Sequence, residues 1–180
     1  MTLEPSSITQ RAISADFYTT SYRIVGKVMV PNTGLMGLIN DPTSSTMEVV
    51  DAHLARVPMP SKLVDHYEVV RLVKAQVFAV ALSRREDMGP QALARGGYVR
   101  MNEYPVRIAT PIYELLGTLE WAGRFDFSAI LTEGSRDFVP LYAARLTAVL
   151  IPALKVDSPA LLFNRRQMDL LALNSQRIEE

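Results

Sequence analysis

Short runs of apolar and β-branched residues, each bounded by glycine, proline or polar residues, recur along the chain. In the second half, Val106–Pro111 and Ile112–Trp121 have this composition, and so do Ala160–Arg166 and Met168–Leu173. Such short runs, rich in branched and aromatic residues, are typical of strands rather than of helices. The pattern therefore predicts a mainly β protein.

Two stretches have the apolar spacing of a helix instead. Gly34–Asp41 and Asp126–Gly134 are each predicted to form a short helix or turn, and the second begins with an aspartate that can cap a helix. Met47–Val57 and Phe138–Leu150 are ambiguous. The alanine-rich centre of the second suits a helix, whereas Pro140 favours a strand. The sequence leaves both assignments open.

A phrase made of tyrosine, aliphatic residues and glycine occurs twice, 91 positions apart. The phrases are TSYRIVG, ending at Gly26, and PIYELLG, ending at Gly117, and the shift also superimposes Tyr22 on Tyr113. A glycine weakens a strand unless a bend, a bulge or a close backbone approach requires it. We therefore predict that the two glycines mark equivalent corners of bent strands.

The same shift holds far downstream, where Val69–Leu82 aligns with Ala160–Leu173 without a gap. One register over most of the chain indicates a tandem duplication. The alternative is two unrelated β segments of similar composition. On the first interpretation, residues 14–83 form one unit, 84–104 a linker and 105–174 the second unit. The linker is rich in glycine, proline and charge, and its ALAR sequence would form a turn of helix.

The predicted order in each unit is strand, bent strand, short helix or loop, strand and a final strand pair, which looks like a small five-stranded barrel. YELLGTLEW (Tyr113–Trp121) resembles the first half of the Sm-like signature, and PALLFNRRQMDLLAL (Pro159–Leu173) resembles the second half. The overall pattern is also similar to an uncharacterised bacterial family of short β-rich domains, which implies no activity. The resemblance implies two tandem Sm-like barrels.

Sm-like proteins form rings and bind RNA through polar residues in two loops. The resemblance implies that Asn164, Arg165 and Arg166 lie at the second loop, with Lys74 as their counterpart in the first unit. Nucleic-acid binding through these residues is one alternative function. The Arg-Gly element of the family's second motif does not occur here, since Gln167 follows the arginine pair.

Composition excludes several classes of protein and of functional site. The 180-residue chain is 48% apolar, which excludes wholesale disorder, and its net charge of zero lacks the basic excess usual in nucleic-acid-binding proteins. Cysteine is absent, which excludes disulfides, thiolate nucleophiles and cysteine-ligated zinc. No stretch has the pattern of a signal peptide or a membrane-spanning helix, so we expect a cytoplasmic protein.

Few residues of the sequence are candidates for catalysis or for metal binding. Asp51 and His53 share a strand face, and such a pair can orient an imidazole for acid–base work. No nucleophile is tied to it by a motif. His53 and His66 have no metal-motif spacing and would need carboxylates from elsewhere. Trp121, near two phenylalanines, would line a pocket or close a core. We expect no catalytic residues, no metal and no cofactor.

These observations predict a non-enzymatic structural or protein-interaction module. The apolar share is high for two small units, so we expect apolar surface to be buried between units, between copies of the chain or against a protein partner. Exposed strand edges would provide the contact. The alternatives are an Sm-like RNA-binding protein and a small-ligand sensor or enzyme with a pocket near Trp121 or His53.

Overall fold

The computed structural model describes residues 9–90, 100–132 and 136–174. The helical turn predicted for the ALAR sequence lies outside these ranges. Within them, the two helices are α1 (Gly34–Ile39) and α2 (Phe127–Leu131). Neither is long and apolar enough to cross a membrane. Both lie inside the stretches for which a short helix or turn is predicted.

Strands dominate the described residues, which confirms the mainly β prediction. The first half contains β1 (Arg11–Tyr18), β2 (Tyr22–Val30), β3 (Thr46–Arg56), β4 (Leu63–Val73) and β5 (Ala79–Leu82). The second half contains β6 (Met101–Ala109), β7 (Tyr113–Ala122), β8 (Phe138–Ala148), β9 (Ile151–Asn164) and β10 (Leu170–Leu173). The two ambiguous stretches are therefore strands, since they coincide with β3 and β8.

Single turns of 3-10 helix link the last two strands of each half. Lys74–Gln76 lies between β4 and β5, and Arg165–Gln167 lies between β9 and β10. A third such turn, Arg85–Met88, follows β5, and its last two residues are buried. The segment predicted as a linker, 84–104, thus contains this turn and the first residues of β6.

All ten strands belong to one antiparallel sheet in the order β10-β6-β7-β8-β9-β5-β1-β2-β3-β4. The sheet is not closed into a barrel, which corrects the expectation of two separate barrels. The physical reason is the pairing of β5, from the first half, with β9, from the second, in which Ala79 lies opposite Phe163 and Leu82 opposite Ala160. The strand expected to complete the first unit also joins it to the second.

The two halves contribute their strands in the same spatial order, β5-β1-β2-β3-β4 and β10-β6-β7-β8-β9. Their pairing registers also coincide after the shift of 91 residues. Ala15 lies opposite Gly26 between β1 and β2, and Val106 lies opposite Gly117 between β6 and β7. Between β3 and β8 the shift is one residue larger, although the two strands bulge at equivalent positions.

Each bulge falls at the glycine of the repeated phrase. The register of β2 against β3 shifts on either side of Gly26, and that of β7 against β8 shifts on either side of Gly117. A Cβ on Gly26 would lie 2.5 Å from the side chain of Val49, and one on Gly117 would lie 2.7 Å from that of Leu141. Neither contact is sterically allowed. Close strand approach therefore requires glycine at both corners.

Two hydrophobic cores lie on opposite faces of the shared strands. Val80 and Leu82 of β5 belong to the core of the first half, whereas Ala79 and Ala81 belong to that of the second. All four are buried, as expected for a strand covered on both faces. The contact between the halves is thus part of both cores, and fully burying an aliphatic side chain such as Val80 contributes about 1.5–3 kcal/mol.

Candidate interaction surface

The sheet ends at β4 and β10, each of which pairs with a strand on one side only within the described chain. Both strands expose apolar side chains. On β4 these are 46–51% exposed: Leu63, Val64, Tyr67, Val69 and Val73. On β10, Leu170 and Leu173 are 49% and 41% exposed. An apolar edge with free backbone N–H and C=O groups favours pairing with a further strand.

β9 occupies in the second half the place that β4 occupies in the first, but its edge is covered by the first half. Ala160 and Leu162 are fully buried and lie in the core of the first half. At the end of the strand, the Asn164 side-chain amide donates a hydrogen bond to the Val77 carbonyl (3.0 Å), and the Asn164 backbone N–H donates to the Phe78 carbonyl (2.9 Å). Apolar side chains and backbone hydrogen bonds together connect the halves.

The corresponding residues of β4 are Val69, Arg71 and Val73. The two valines are 51% and 49% exposed and keep an apolar surface. Arg71 is the departure, because it occupies the position of the buried Leu162. Its guanidinium lies 3.0 Å from the Glu48 carboxylate in an exposed ion pair. The free edge of β4 therefore resembles the covered edge of β9 at Val69 and differs at its centre, and Val73 lacks the side-chain amide that Asn164 donates to the first half.

Three of the four residues that the Sm-like resemblance implies for RNA binding lie in one cleft. Lys74, Asn164 and Arg166 line an open cleft of about 340 Å³ between the halves. Lys74 is buried, and its ammonium group donates hydrogen bonds to the carbonyls of Leu38 (2.9 Å) and Asp41 (3.0 Å). Burial lowers the pKa of Lys74, and the Asp41 carboxylate partly opposes this. Lys74 thus binds the end of α1.

The arginine pair lies beside an acidic residue. Arg166 Nε donates a hydrogen bond to Asp137 Oδ1 over 2.7 Å, and Arg165 Nε lies 3.8 Å from the same oxygen. The Asn164 side-chain oxygen Oδ1 accepts a hydrogen bond from the Arg166 backbone N–H. The charge that a phosphate would need is therefore already partly neutralised within the cleft.

The two tyrosines of the repeated phrase have different surroundings. Tyr113 is fully buried at the contact between the halves, where its hydroxyl donates a hydrogen bond to the Thr19 carbonyl and its ring meets Phe78 edge-on. Burial is the main cause that raises the pKa of Tyr113. Tyr22 is half-buried against the core of the first half, with the Arg56 guanidinium over its ring.

The Asp51–His53 pair has a third member that sequence reasoning missed. β3 and β4 place His66 directly opposite His53, with ring centroids 4.5 Å apart, and His66 Nε2 lies 2.8 Å from Asp51 Oδ1. Hydrogen bonds from His66 and then Lys27 lower the pKa of the Asp51 carboxyl. The pairing register of the β3–β4 hairpin determines the position of His66, and the spacing of residues along the sequence does not show that register.

Trp121 packs, half-buried, against the core of the second half, as does Phe125. The Phe125 ring contacts Tyr104 and meets Phe127 edge-on. This group covers one end of the core.

Comparisons with protein-family models, with curated proteins and with solved structures find no match to this chain. The candidate function therefore depends on the geometry of its own surfaces.

Proposed function

We propose that the protein is a non-enzymatic interaction module built from two duplicated, Sm-like five-stranded units, and that it self-associates by strand pairing at its free edges. The observation that best supports this is the pairing of β5 with β9. The two halves have matching strand order and register, so each presents the same two kinds of edge. One pair of edges is joined within the chain, and the equivalent pair, β10 and β4, is free.

The internal contact predicts the register of the contact between copies. Shifting the β5–β9 pairs by 91 residues places Leu170 of one copy opposite Leu72 of the next, and Leu173 opposite Val69. The contact joins two different edges and is therefore heterologous. Repetition of such a contact produces a ring or an open filament.

A side-chain hydrogen bond supports the same arrangement. Gln167 Nε2 donates to the Ala75 carbonyl across the contact between the halves, at 2.7 Å. Its counterpart in the first half is Gln76, which is exposed next to the free edge. In the proposed assembly, the Gln76 amide would meet the Arg166 carbonyl of the neighbouring copy, the position equivalent to Ala75.

Arg71 sets the strength of the contact. In the proposed register, it would face Leu171 of the next copy, whereas its counterpart Leu162 faces Val80 within the chain. Covering an arginine costs desolvation that covering a leucine does not. We therefore expect association to be reversible and weaker than the contact between the halves.

The test is light scattering over a range of protein concentrations. We expect the mean mass to rise above that of one chain, and we expect Val69→Lys to shift the rise to at least about tenfold higher concentration, because edge lysines oppose strand addition. Leu150→Lys is the matched control, since Leu150 is 86% exposed in the turn between β8 and β9. A wild-type chain that stays monomeric at every concentration would contradict the proposal.

RNA binding is the second candidate, and the cleft that gathers Lys74, Asn164 and Arg166 is what supports it. The ion pair of Arg166 with Asp137 argues against it. A salt titration with single-stranded RNA separates the two proposals. A clear fall in affinity with rising salt, lost in Arg166→Ala, would favour RNA binding, whereas concentration-dependent association without salt-dependent RNA affinity favours the interaction module.

A further inference from the structure

The chain contains two histidines, and folding brings both to one place. His53 on β3 and His66 on β4 are direct partners across the hairpin. Asp51 lies beside them, and one ligand atom from each of the three residues lies within 4.8 Å of the other two. The group combines two imidazole nitrogens and a carboxylate oxygen on the outer part of the sheet.

We propose that Asp51, His53 and His66 bind a divalent transition-metal ion, with zinc as the best-matched member of the class. Imidazole and carboxylate are ordinary zinc ligands, and three protein ligands leave a coordination position for water. Tetrahedral bonds of this type place ligand atoms roughly 3.3 Å apart. The observed separations therefore need only small side-chain rotations, which the partial exposure of the three residues permits.

The backbone favours this arrangement. Asp51 has a positive φ of 51° within the bulge of β3, and aspartate tolerates this conformation better than most residues. The Asp51 carboxylate already accepts a hydrogen bond from His66, so these two ligands are aligned with each other. Lys27 is the competing group, because its ammonium lies 3.4 Å from the other oxygen of Asp51.

The second half provides an internal comparison. Val25 lies opposite His53, and the corresponding residue of β7 lies opposite Arg145 of β8. Arg145 in turn is opposite Asp157, and their side chains form an ion pair at 2.6 Å. The same place in the two hairpins thus holds an arginine–aspartate pair in one half and the histidine pair in the other. A bound cation would link β4 to β3 where the ion pair links β9 to β8.

This inference does not depend on self-association, and it is tested by titrating the purified chain with Zn²⁺ alone. We expect one ion per chain with a dissociation constant in the micromolar range. His53→Gln and His66→Gln each remove a ligand and should weaken binding by at least about 10-fold, the loss that even an outer-shell partner of a ligand causes. Zn²⁺ at roughly a hundred times the dissociation constant should raise the wild-type melting temperature by roughly 5–10 °C. Because these are the only histidines of the sequence, no other imidazole contributes.

Two further variants sharpen the test. Lys27→Met should tighten Zn²⁺ binding several-fold, because it removes a positive charge from the site without removing a ligand. The combined substitutions Ala143→Asp, Arg145→His and Asp157→His copy the three residues into the second half and should raise the stoichiometry to two. Zn²⁺ affinity that is absent below millimolar concentration, or that is unchanged in both His→Gln variants, would overturn the proposal.

Discussion

β4 and β9 occupy the same place in the two halves, but only β9 has a neighbouring strand on each side. β9 pairs with β8 and with β5, whereas β4 pairs with β3 alone among the residues that the structure describes. Leu162 of β9 is fully buried, and Arg71, at the corresponding position of β4, is exposed and paired with Glu48. The fold leaves open in the first half a surface that it covers in the second.

The difference lies in a few side chains rather than in the backbone. At the three positions where β9 has Ala160, Leu162 and Asn164, β4 has Val69, Arg71 and Val73, and of these three residues only Arg71 carries a charge. A charged residue at the centre of an apolar edge keeps a free strand soluble and still allows it to pair with another copy. The comparison therefore favours the proposal that the contact between chains is reversible, whereas the contact within the chain is permanent.

The largest effect is expected from Leu162→Arg, which gives β9 the central residue of β4. The substitution places a charge at a fully buried position between the cores, and we expect it to lower the free energy of unfolding by about 4 kcal/mol. Urea unfolding measures this directly. Arg71→Leu is the matched control and should change monomer stability by less than about 0.5 kcal/mol while strengthening association. Equal costs for both substitutions would contradict the distinction between covered and free edges.

A smaller, shared cost is expected at the two corner glycines. Gly26→Ala and Gly117→Ala each place a methyl group less than 3 Å from a neighbouring side chain, and overpacking of this kind costs about 2 kcal/mol. Gly123→Ala is the control. It has no atom within 4 Å of the added carbon, but its φ of 72° should cost about 1 kcal/mol. If one corner tolerated alanine and the other did not, the two bulges would not be equivalent.

The smallest effect concerns Asp87, which follows β5 and whose counterpart would lie beyond β10, outside the described residues. Burial raises the pKa of Asp87, but hydrogen bonds from Arg84 and Arg11 outweigh this and lower it. A carboxyl whose folded pKa is depressed stabilises the fold above its unfolded pKa, and this stability is lost as pH falls through the folded value.

We therefore expect wild-type stability to decline below about pH 4, the ordinary range of an aspartate. Asp87→Asn should reduce this decline and cost about 1 kcal/mol at neutral pH, because both arginines are partly exposed and the ion pairs are screened. Thermal unfolding between pH 3 and pH 7 provides the measurement. Identical pH profiles of the two proteins would exclude this role.

Much of the fold follows from the sequence, because strand composition and the shift of 91 residues are local or periodic signals. The turn that separates β1 from β2 is not visible in the sequence. The composition of Phe17–Pro31, with a glycine near its centre, indicates one uninterrupted strand, but the chain turns at Thr19, whose hydroxyl oxygen accepts a hydrogen bond from the Tyr22 backbone N–H at 3.1 Å. The turn after Thr19 contains no glycine or proline, the residues from which a turn is usually predicted. The same turn in the second half is visible in the sequence because Pro111 follows Thr110.

The sites were harder to predict, because they depend on which strands become neighbours. The β5–β9 pairing joins segments about 80 residues apart, and the apolar pattern of either strand is compatible with any apolar neighbour. The partner of His53 lies across a hairpin, so its identity depends on a register that one residue of slip would change. The Sm-like resemblance implies a binding loop at Lys74, but the Lys74 ammonium donates instead to the carbonyls of Leu38 in α1 and of Asp41 just after it.

The central claim is that β4 of one copy pairs with β10 of another in the register of β9 with β5. The chain contains no cysteine, so Arg71→Cys and Leu171→Cys can be introduced into separate proteins and mixed under mild oxidation. Paired positions of adjacent strands lie close enough for a disulfide. We predict a cross-linked dimer in the mixture, little in either protein alone, and little when Leu173→Cys, two residues out of register, replaces Leu171→Cys. Cross-linking of Arg71→Cys with itself, or none in the mixture, would contradict the account.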